Sequence, residues 1–496
     1  MRDGECAHVR TRRHQAIATT EGWTVKDTEY RVAIWDESWE NLFQGNDKPQ
    51  GTANLVDNHV TLEIPFGRML GDVGVLLVGD EQEPTEVDWL YGFSQDGYRI
   101  ALKNARSMGT SSSSPGGDNQ HIGADYLFAA KSPFDPEKPV TNAVVRYSGL
   151  EGWVASTPFR SVHDNGTGRL VVVEYDLEHE GAYNVDLLDD DRYHIYVCHS
   201  YRYGGLGVEG IDIDHWCEIC IDFKTKSSLD DAMDVITSIS RFLAVCLGFG
   251  SEILEINLRF GNVAGYAKCH SSFFRFKGPD KWNLLRIPFK LPVLAGEIKE
   301  YLGAWLLEEG DLQVASGVFA SLIGNNWEMP LDLKFLAASQ VLEALSRVGV
   351  DLASIPQDEY EEYKNAVKEA TEGTDAGKWI LERLPGNTKG QGRLLRELCD
   401  KHQVLFGWLI SDGKEFLDNQ SSARNHYAHR KPTDKGRAPM QGEELYWHTE
   451  CVLFLAHGII WSNLGMDEQA FIDALERSGY RHDEVSKVRS MYSAIA

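Results

Sequence analysis

The sequence has no long uncharged apolar run. Its longest apolar stretch, from Cys451 to Leu464, contains His457 and Ser462 and is too short to cross a bilayer, so we expect a buried helix there. The opening residues are polar and lack the basic-then-apolar pattern of a secretory signal. These absences argue against a membrane protein and favour a cytoplasmic one.

Positive charge is also scarce. The 496 residues include 49 Lys and Arg against 75 Asp and Glu, which gives a net charge of −26. Such a surface repels phosphates over most of its area and argues against non-specific nucleic-acid binding. The exception is segment 421–440, which holds five basic residues and a single acidic one, Asp434. A basic island in an acidic chain predicts a focused phosphate site.

The eight cysteines are irregularly spaced, which favours reduced thiols over a disulfide framework. The closest pair, Cys217 and Cys220, follows His215 and forms an incomplete zinc pattern. That stretch has the pattern of a strand, in which residues three apart face opposite sides, and the nearest further candidate is Cys269 with His270. We therefore predict no metal or other cofactor, with a structural zinc site as the alternative.

A chain of this length predicts two or three domains. Its first half contains apolar, β-branched runs separated by turn residues, which predict a sandwich or barrel-like β-domain over residues 1–225. The serine-rich stretch 107–118 predicts a flexible loop inside it. The strand-like runs are residues 59–65, 73–78, 142–147, 170–175 and 193–198.

Helical periodicity dominates the second half. Residues 226–311 are predicted to form a mixed connecting region with a helix from Leu229 to Leu247, and residues 312–496 an all-helical bundle. The fold class is therefore α+β multidomain, a β-rich N-terminal half followed by an all-α helical bundle. Further helices are predicted at 331–348, 358–371, 377–384, 391–410, 413–424 and 443–464.

Two details of the helical half matter below. Glu343 and Arg347 are predicted to pair on the polar face of the helix from 331 to 348, with a reach of Glu343 to the site of Arg424 and His429 as the alternative. The glycine-rich segment 386–392 lacks the Lys-Ser/Thr ending of a phosphate-binding loop and is predicted to be a turn.

The segment from Arg424 to His429 carries the most chemistry. An imidazole titrates near neutral pH and can exchange protons with a ribose 2′-OH or a leaving oxygen, and a guanidinium can bind a phosphate through two hydrogen bonds. RNA contains its own nucleophile, so its cleavage needs no metal. Residues five apart diverge on a helix. The side chains of Arg424 and His429 can therefore meet only if the helix breaks between them or if both face a shared cleft. Pro432 favours the break, because it ends the helix near Arg430.

This motif resembles that of the HEPN domain, whose nuclease members share an Arg-x(4–6)-His pattern, often with Asn after the Arg. The resemblance covers roughly residues 315–496, including an amphipathic helix at 338–347 and a closing apolar helix at 451–461. The first half is similar to the N-terminal region of ApeA-type anti-phage proteins. The similarity rests on the start of a strand at 51–56 and on residues 152–157.

The resemblance implies a role for each motif residue. Arg424 would be the phosphate-binding catalytic arginine, His429 the catalytic histidine, and Asn425 would orient the histidine or the phosphate. Tyr427 would stack on a base or pack in the core. His426 lies outside the minimal motif and would be a second acid or base, a phosphate donor or a turn residue. The predicted RNA-binding residues are His426, Arg430, Lys431, Lys435 and Arg437.

The family also implies a function for the whole chain. A sensing or regulatory β-region, answering a phage-derived trigger, would control a helical domain that cuts RNA and halts growth of the infected cell. Members commonly dimerise, so we expect a homodimer or larger assembly in which one histidine is the base and the other the acid. The expected reaction is metal-independent cleavage of a structured RNA loop, with tRNA as the first candidate.

Two alternatives stay open. Asp280, Glu297 and Lys299 match the loose pattern of Mg²⁺-dependent nucleases, but the last two have the pattern of a solvated helix start, so we interpret the match as a coincidence. The other alternative is a HEPN-fold scaffold or ligand-binding protein in which Arg424 and His429 only stabilise a dimer or a helix end.

Overall fold

Antiparallel strands organise the N-terminal half of the chain in a computed structural model. The structure describes residues 28–36, 38–42, 48–56, 59–65, 69–70, 85–113, 117–155, 159–163, 170–175, 185–207, 210–271, 286–324, 329–384, 386–429 and 440–492. The strands are β1 Thr28–Asp36, β2 Gly51–Val56, β3 His59–Ile64, β4 Glu86–Ser94, β5 Arg99–Ser113, β6 Gly117–Ala124, β7 Tyr126–Ala130, β8 Val140–Tyr147, β9 Phe159–His163, β10 Leu170–Tyr175, β11 Val185–Asp189, β12 Tyr193–Gly207, β13 Gly210–Ser227, β14 Ile253–Phe260 and β15 Ala267–Ser271.

Thirteen of these strands form one sheet in the order β11-β12-β13-β8-β14-β15-β7-β5-β4-β1-β2-β3-β6. An additional β5–β6 pairing closes the last six strands into a ring, and β9 and β10 form a separate hairpin. Burial along β3 alternates, with Val60, Leu62 and Ile64 inside the ring, because successive side chains of a strand face opposite sides. The β-rich, barrel-like half that the sequence predicts is confirmed.

The described residues of the serine-rich stretch, 107–113 and 117–118, do not form the loop that the sequence predicts. It forms the ends of β5 and β6, with Thr110 paired to Gln120 and Ser111 to Asn119. A register shift next to Gly109, whose φ of 125° suits glycine alone, accommodates the bend. Small polar residues can join a ladder through their backbones when a partner strand is available, and composition does not reveal that partner. The strand predicted at 73–78 lies outside the described residues.

The C-terminal half is helical, as predicted. Between the strands and in this half, the helices are α1 Trp39–Leu42, α2 Leu150–Val154, α3 Leu229–Leu247, α4 Leu291–Leu294, α5 Ile298–Trp305, α6 Gly310–Gly324, α7 Leu331–Leu345, α8 Gln357–Ala370, α9 Asp375–Arg383, α10 Gln391–Lys401, α11 Gln403–Leu409, α12 Gly413–His429, α13 Gly442–Asn463, α14 Glu468–Ser478 and α15 His482–Tyr492. The single helix predicted at 391–410 is interrupted at His402. In the described part of the chain, no helix is long and apolar enough to cross a bilayer.

Helix α3 has the bounds that the sequence predicts because both of its ends carry strong signals. Ser228 and Asp231 form a reciprocal capping box at its start, at 3.1 and 3.0 Å. Gly248 ends the helix with a φ of 77°, and a Cβ there would lie 2.4 Å from the ring of Tyr480. Only glycine fits this helix end.

The two halves share one apolar core, with α3 between the sheet and the helices α6 and α13. His457 on α13 donates a hydrogen bond to the carbonyl oxygen of Val245 over 2.8 Å, and Tyr480 donates one to Gly248 over 2.5 Å. Phe289 stacks on Phe471 with ring centroids 5.4 Å apart. The helical half therefore depends on the N-terminal half for part of its packing.

A buried ion triad joins the helices of the C-terminal half. Glu450 on α13 is fully buried and accepts hydrogen bonds from Lys334 and Arg481, each over 2.6 Å. Burial alone would raise the pKa of Glu450, but the charges of Arg481 and Lys334 outweigh it and hold that pKa below its ordinary value. The carboxylate is thus the counter-charge for two cations in the interior.

We predict that Glu450→Gln destabilises the protein by about 3–5 kcal/mol, because it leaves the buried Lys334 without a counter-charge and Arg481 with only the longer contact to Glu484 at 3.5 Å. The measurement is urea unfolding followed by helical circular dichroism. Glu444→Gln, on the exposed face of the same helix, is the matched control and should change stability by about 0.5 kcal/mol or less. Equal urea midpoints for the two variants would contradict this role of Glu450.

Candidate functional site

Helix α12 presents Arg424 and Asn425 to a pocket because its other side is anchored in the core. Phe416, Gln420 and Ala423 are buried and recur at helical spacing along one face. Tyr427 continues this face; its hydroxyl donates to the carbonyl oxygen of Met440 over 2.6 Å, and its ring meets Phe335 edge-on. These contacts favour the core-packing alternative for Tyr427 over base stacking.

Arg424 and His429 meet on an unbroken helix. Nη1 of Arg424 lies 3.2 Å from Nε2 of His429, and α12 runs through both residues to its end at His429. The helix break that the sequence favours is therefore wrong, because the residues between the pair include no glycine or proline and the long arginine side chain spans the separation. A guanidinium can only donate, so Nε2 of His429 is the acceptor in this contact.

Glu343 on α7 holds the other side of the guanidinium. Nε of Arg424 donates to Oε1 of Glu343 over 2.9 Å, and the Glu343 side chain is only 13% exposed. Among the described residues, the ion pair of Glu343 is with Arg424, so the predicted pair with Arg347 is wrong. The contact joins residues 81 positions apart, so helix spacing within α7 favoured Arg347, whereas the alternative reach of Glu343 to this site is the contact that the structure has.

The pocket beside Arg424 has a volume of about 550 Å³ and lies between α7, α10 and α12. Its charged lining residues include Arg347, which makes no ion pair with any described residue, and Lys389, which pairs with Glu397 over 2.8 Å. Lys389 belongs to the segment 386–392, so a stretch predicted to be a turn also contributes a cation. The lining residues are Asp311, Glu343, Arg347, Leu352, Thr388, Lys389, Gln391, Gly392, Leu394, Leu395, Gln420, Ser421, Arg424 and Asn425.

The other predicted site residues fall into three groups. Asn425 is exposed at the pocket, and its side chain makes no hydrogen bond with a described residue, so it does not orient His429 here. His429 is exposed next to the pocket, and His426 packs edge-on against Tyr427. The remaining basic residues lie outside the described part of the chain: Arg430, Lys431, Lys435 and Arg437.

A buried chain of hydrogen bonds fixes α12 against α7, α13 and α15. Tyr492 donates to Nδ1 of His448, whose Nε2 donates to the amide oxygen of Gln420 over 2.8 Å. The amide nitrogen of Gln420 donates to Ser339 over 3.0 Å. Burial lowers the pKa of His448 to about 3, so its ring stays neutral and keeps this pattern of donors.

The Mg²⁺-nuclease alternative gains no support in the described residues. Glu297 and Lys299 are both exposed at the start of α5, as predicted, and are not on a buried strand. The Glu297 carboxylate accepts a hydrogen bond from Tyr301 on the same helix. Asp280 lies outside the described residues.

Two family models match the chain, one over the region that contains the sheet and one over the C-terminal helices. The family described as ApeA N-terminal domain 1 matches residues 34–305, more than half of the chain. The chain belongs to the ApeA-like family. A second family, described as Apea-like HEPN, matches residues 336–470, which include Glu343, Lys389, Arg424 and His429. No curated protein and no solved structure matches the chain.

Membership of the ApeA-like family suggests a nuclease associated with defence, and HEPN domains are generally ribonucleases. The candidate site lies inside the HEPN match, on helices α7 to α12. Sequence reasoning missed Arg347 and Lys389 as pocket residues. The one available signal was a lysine in a glycine-rich turn, which is weak because such turns are common.

We predict that Gln420→Ala destabilises the protein by about 1–3 kcal/mol, because it leaves Nε2 of the buried His448 without a partner and removes one of the two hydrogen bonds of Ser339. Thermal unfolding of the full chain measures the effect. Asp418→Ala changes an exposed position of the same helix and is the control. If both variants melt at the wild-type temperature, the buried hydrogen bonds do not fix α12.

Proposed function

We propose that this ApeA-like chain is a cytoplasmic, metal-independent RNA endonuclease of a phage-defence system that acts by abortive infection. Its proposed substrate is a structured RNA loop, with tRNA as the first candidate, because splayed bases in a loop allow in-line geometry. The observation that carries the proposal is the 3.2 Å contact between Arg424 and His429 within the HEPN match.

The geometry supports a division of labour between these two residues. Nε2 of His429 carries a lone pair, as a general base needs. When a phosphate replaces His429 as the hydrogen-bond acceptor of Arg424, the lone pair on Nε2 becomes available to the ribose 2′-OH. The 2′-oxygen then attacks phosphorus and the 5′-oxygen leaves with a proton, which gives a 2′,3′-cyclic phosphate and a 5′-hydroxyl.

Glu343 acts in this proposal as a positioning residue. It binds Nε of Arg424, which leaves the two terminal nitrogens of the guanidinium, one of which contacts His429 in this structure, to bind the phosphate oxygens. Asn425 offers an amide to the substrate at the same pocket, and Arg347 and Lys389 add positive charge. We propose that the basic segment from Arg430 to Arg437, together with His426, also binds the RNA.

A homodimer through the HEPN domain would complete the site. In-line displacement places the attacking 2′-oxygen and the leaving 5′-oxygen on opposite sides of the phosphorus. One imidazole cannot easily serve both oxygens, and each chain supplies one His429. Two copies facing a common cleft provide one base and one acid.

The competing function is a HEPN-fold scaffold or ligand-binding protein. In that case the Arg424–His429 contact would only stabilise the end of α12. The contact is exposed, so its contribution to stability would be small, at most about 1 kcal/mol. Cleavage and stability measurements therefore separate the two functions.

We predict that His429→Ala lowers RNA cleavage at least about 100-fold without unfolding the protein, because it removes the proton-transfer group. Arg424→Lys should also impair cleavage, since an ammonium cannot make the paired contacts. Cells expressing each variant are compared with wild type by growth and by mapping RNA ends, with and without phage infection. The cleavage should persist in EDTA with purified protein.

His482→Ala is the matched control, an exposed histidine at the start of α15 in the same helical half. Fragments with 2′,3′-cyclic phosphate ends should appear with this variant and not with His429→Ala. Identical RNA ends in all strains, infected or not, would favour the scaffold, and EDTA-sensitive cleavage would favour a metal-dependent nuclease.

We predict that excess His429→Ala protein inhibits the wild-type enzyme when subunits exchange, because each mixed dimer holds one histidine in place of two. Cleavage is measured at constant wild-type concentration with increasing variant. Size-exclusion chromatography with light scattering checks that the variant still assembles. If cleavage stays constant as the variant is added, in samples whose subunits are shown to exchange, one chain contains the complete site.

A further inference from the structure

Two histidines and a cysteine meet on one face of the β12–β13 hairpin, far along the chain from the HEPN site. Nδ1 of His199 lies 2.9 Å from Nε2 of His215 and 3.5 Å from Sγ of Cys217. One ligand atom from each of the three residues falls within 4.8 Å of the others. The strand register produces the cluster, because His199 is directly opposite Cys217 and His215 lies two positions away on the same face.

We propose that His199, His215 and Cys217 bind a zinc ion. Imidazole nitrogen and thiolate sulfur are the ligands that zinc prefers, at about 2.0 and 2.3 Å. Tetrahedral bonds of those lengths separate the ligand atoms by about 3.3–3.8 Å, close to the spacing of the cluster. Three protein ligands leave a fourth position for water or another ligand.

The surroundings of the cluster suit a cation. Glu151 on α2 accepts a hydrogen bond from the backbone N–H of Cys217 over 3.2 Å, so its carboxylate lies beside the ligands. One thiolate and one nearby carboxylate together balance the two charges of zinc.

Metal binding at this cluster requires a proton to leave the thiol. Burial lowers the pKa of both histidines, with His215 adding to the effect on His199. Burial raises the pKa of the Cys217 thiol, with the charge of Glu151 adding to it. Zinc therefore displaces the thiol proton, so the zinc–sulfur bond forms and one proton is released per ion.

The cluster is not the cysteine pair that the sequence suggests. Cys220 faces the other side of the sheet, where its sulfur lies 2.7 Å from that of Cys198. Cys269 and His270 lie on β15, three strands from β13 in the sheet order, or about 14 Å away. The zinc ligands come from two strands, and only their register brings them together.

A zinc ion here would clamp the β12–β13 hairpin beside α2. Trp153 of α2 donates a hydrogen bond to the carbonyl oxygen of Phe289 over 2.9 Å, in the core that both halves share. The ion would therefore stabilise the N-terminal half at a point that also contacts the helical half. This inference is independent of the proposed ribonuclease function.

The test is the metal content of the purified full chain, expressed with added zinc and freed of loosely bound ions by gel filtration. We expect about one zinc per wild-type chain and less than about one fifth of that in Cys217→Ser and in His199→Ala. Reconstitution with Co²⁺ should give a thiolate charge-transfer band in the near ultraviolet, which Cys217→Ser abolishes.

The matched controls are Cys198→Ser and His194→Ala on the other face of β12, and both should keep the zinc and the cobalt band. Circular dichroism verifies that each variant is folded. Wild-type protein with neither zinc nor a cobalt band would overturn the proposal. Zinc that is lost in Cys198→Ser and kept in Cys217→Ser would overturn it as well, by placing the ion at the opposite cysteine pair.

Discussion

The candidate site depends on how α12 is fixed against its neighbours. A helix places successive residues about 100° apart, so anchoring one face determines what the others present. In α12 the anchored face contains a buried glutamine in a directional chain of hydrogen bonds from Tyr492 to Ser339. Apolar packing alone would tolerate some rotation, whereas these bonds do not. Arg424 therefore faces Glu343 and the pocket at a defined angle.

Charge balance at the pocket fits a site that must release and accept phosphates. Glu343 neutralises Arg424 in a strongly acidic protein, but the pair is partly open to solvent, with the arginine side chain 36% exposed. Such a pair contributes about 1 kcal/mol or less, so a phosphate can share the guanidinium without a large cost. Arg347 remains free of ion pairs with described residues and can add attraction.

Sequence reasoning succeeded where the signal is local. The ends of α3 follow from a capping box and a glycine, and the buried character of α13 follows from its apolar run. It failed where the partner is distant in the chain. The contact between Glu343 and Arg424, the pairing of Thr110 with Gln120 and the cross-strand cluster around Cys217 all depend on tertiary register. Composition and periodicity carry no information about that register.

The shared core limits how a trigger could control the proposed enzyme. If the N-terminal half were a separable inhibitor, its release would expose the face of α13 that contains His457 and Trp461, both of which are now buried. That exposure would destabilise the helical half and not activate it. Regulation through this interface must therefore be a shift between two packed arrangements. Because α3 contacts both β8 and α6, a movement of the sheet would reach the helices through α3.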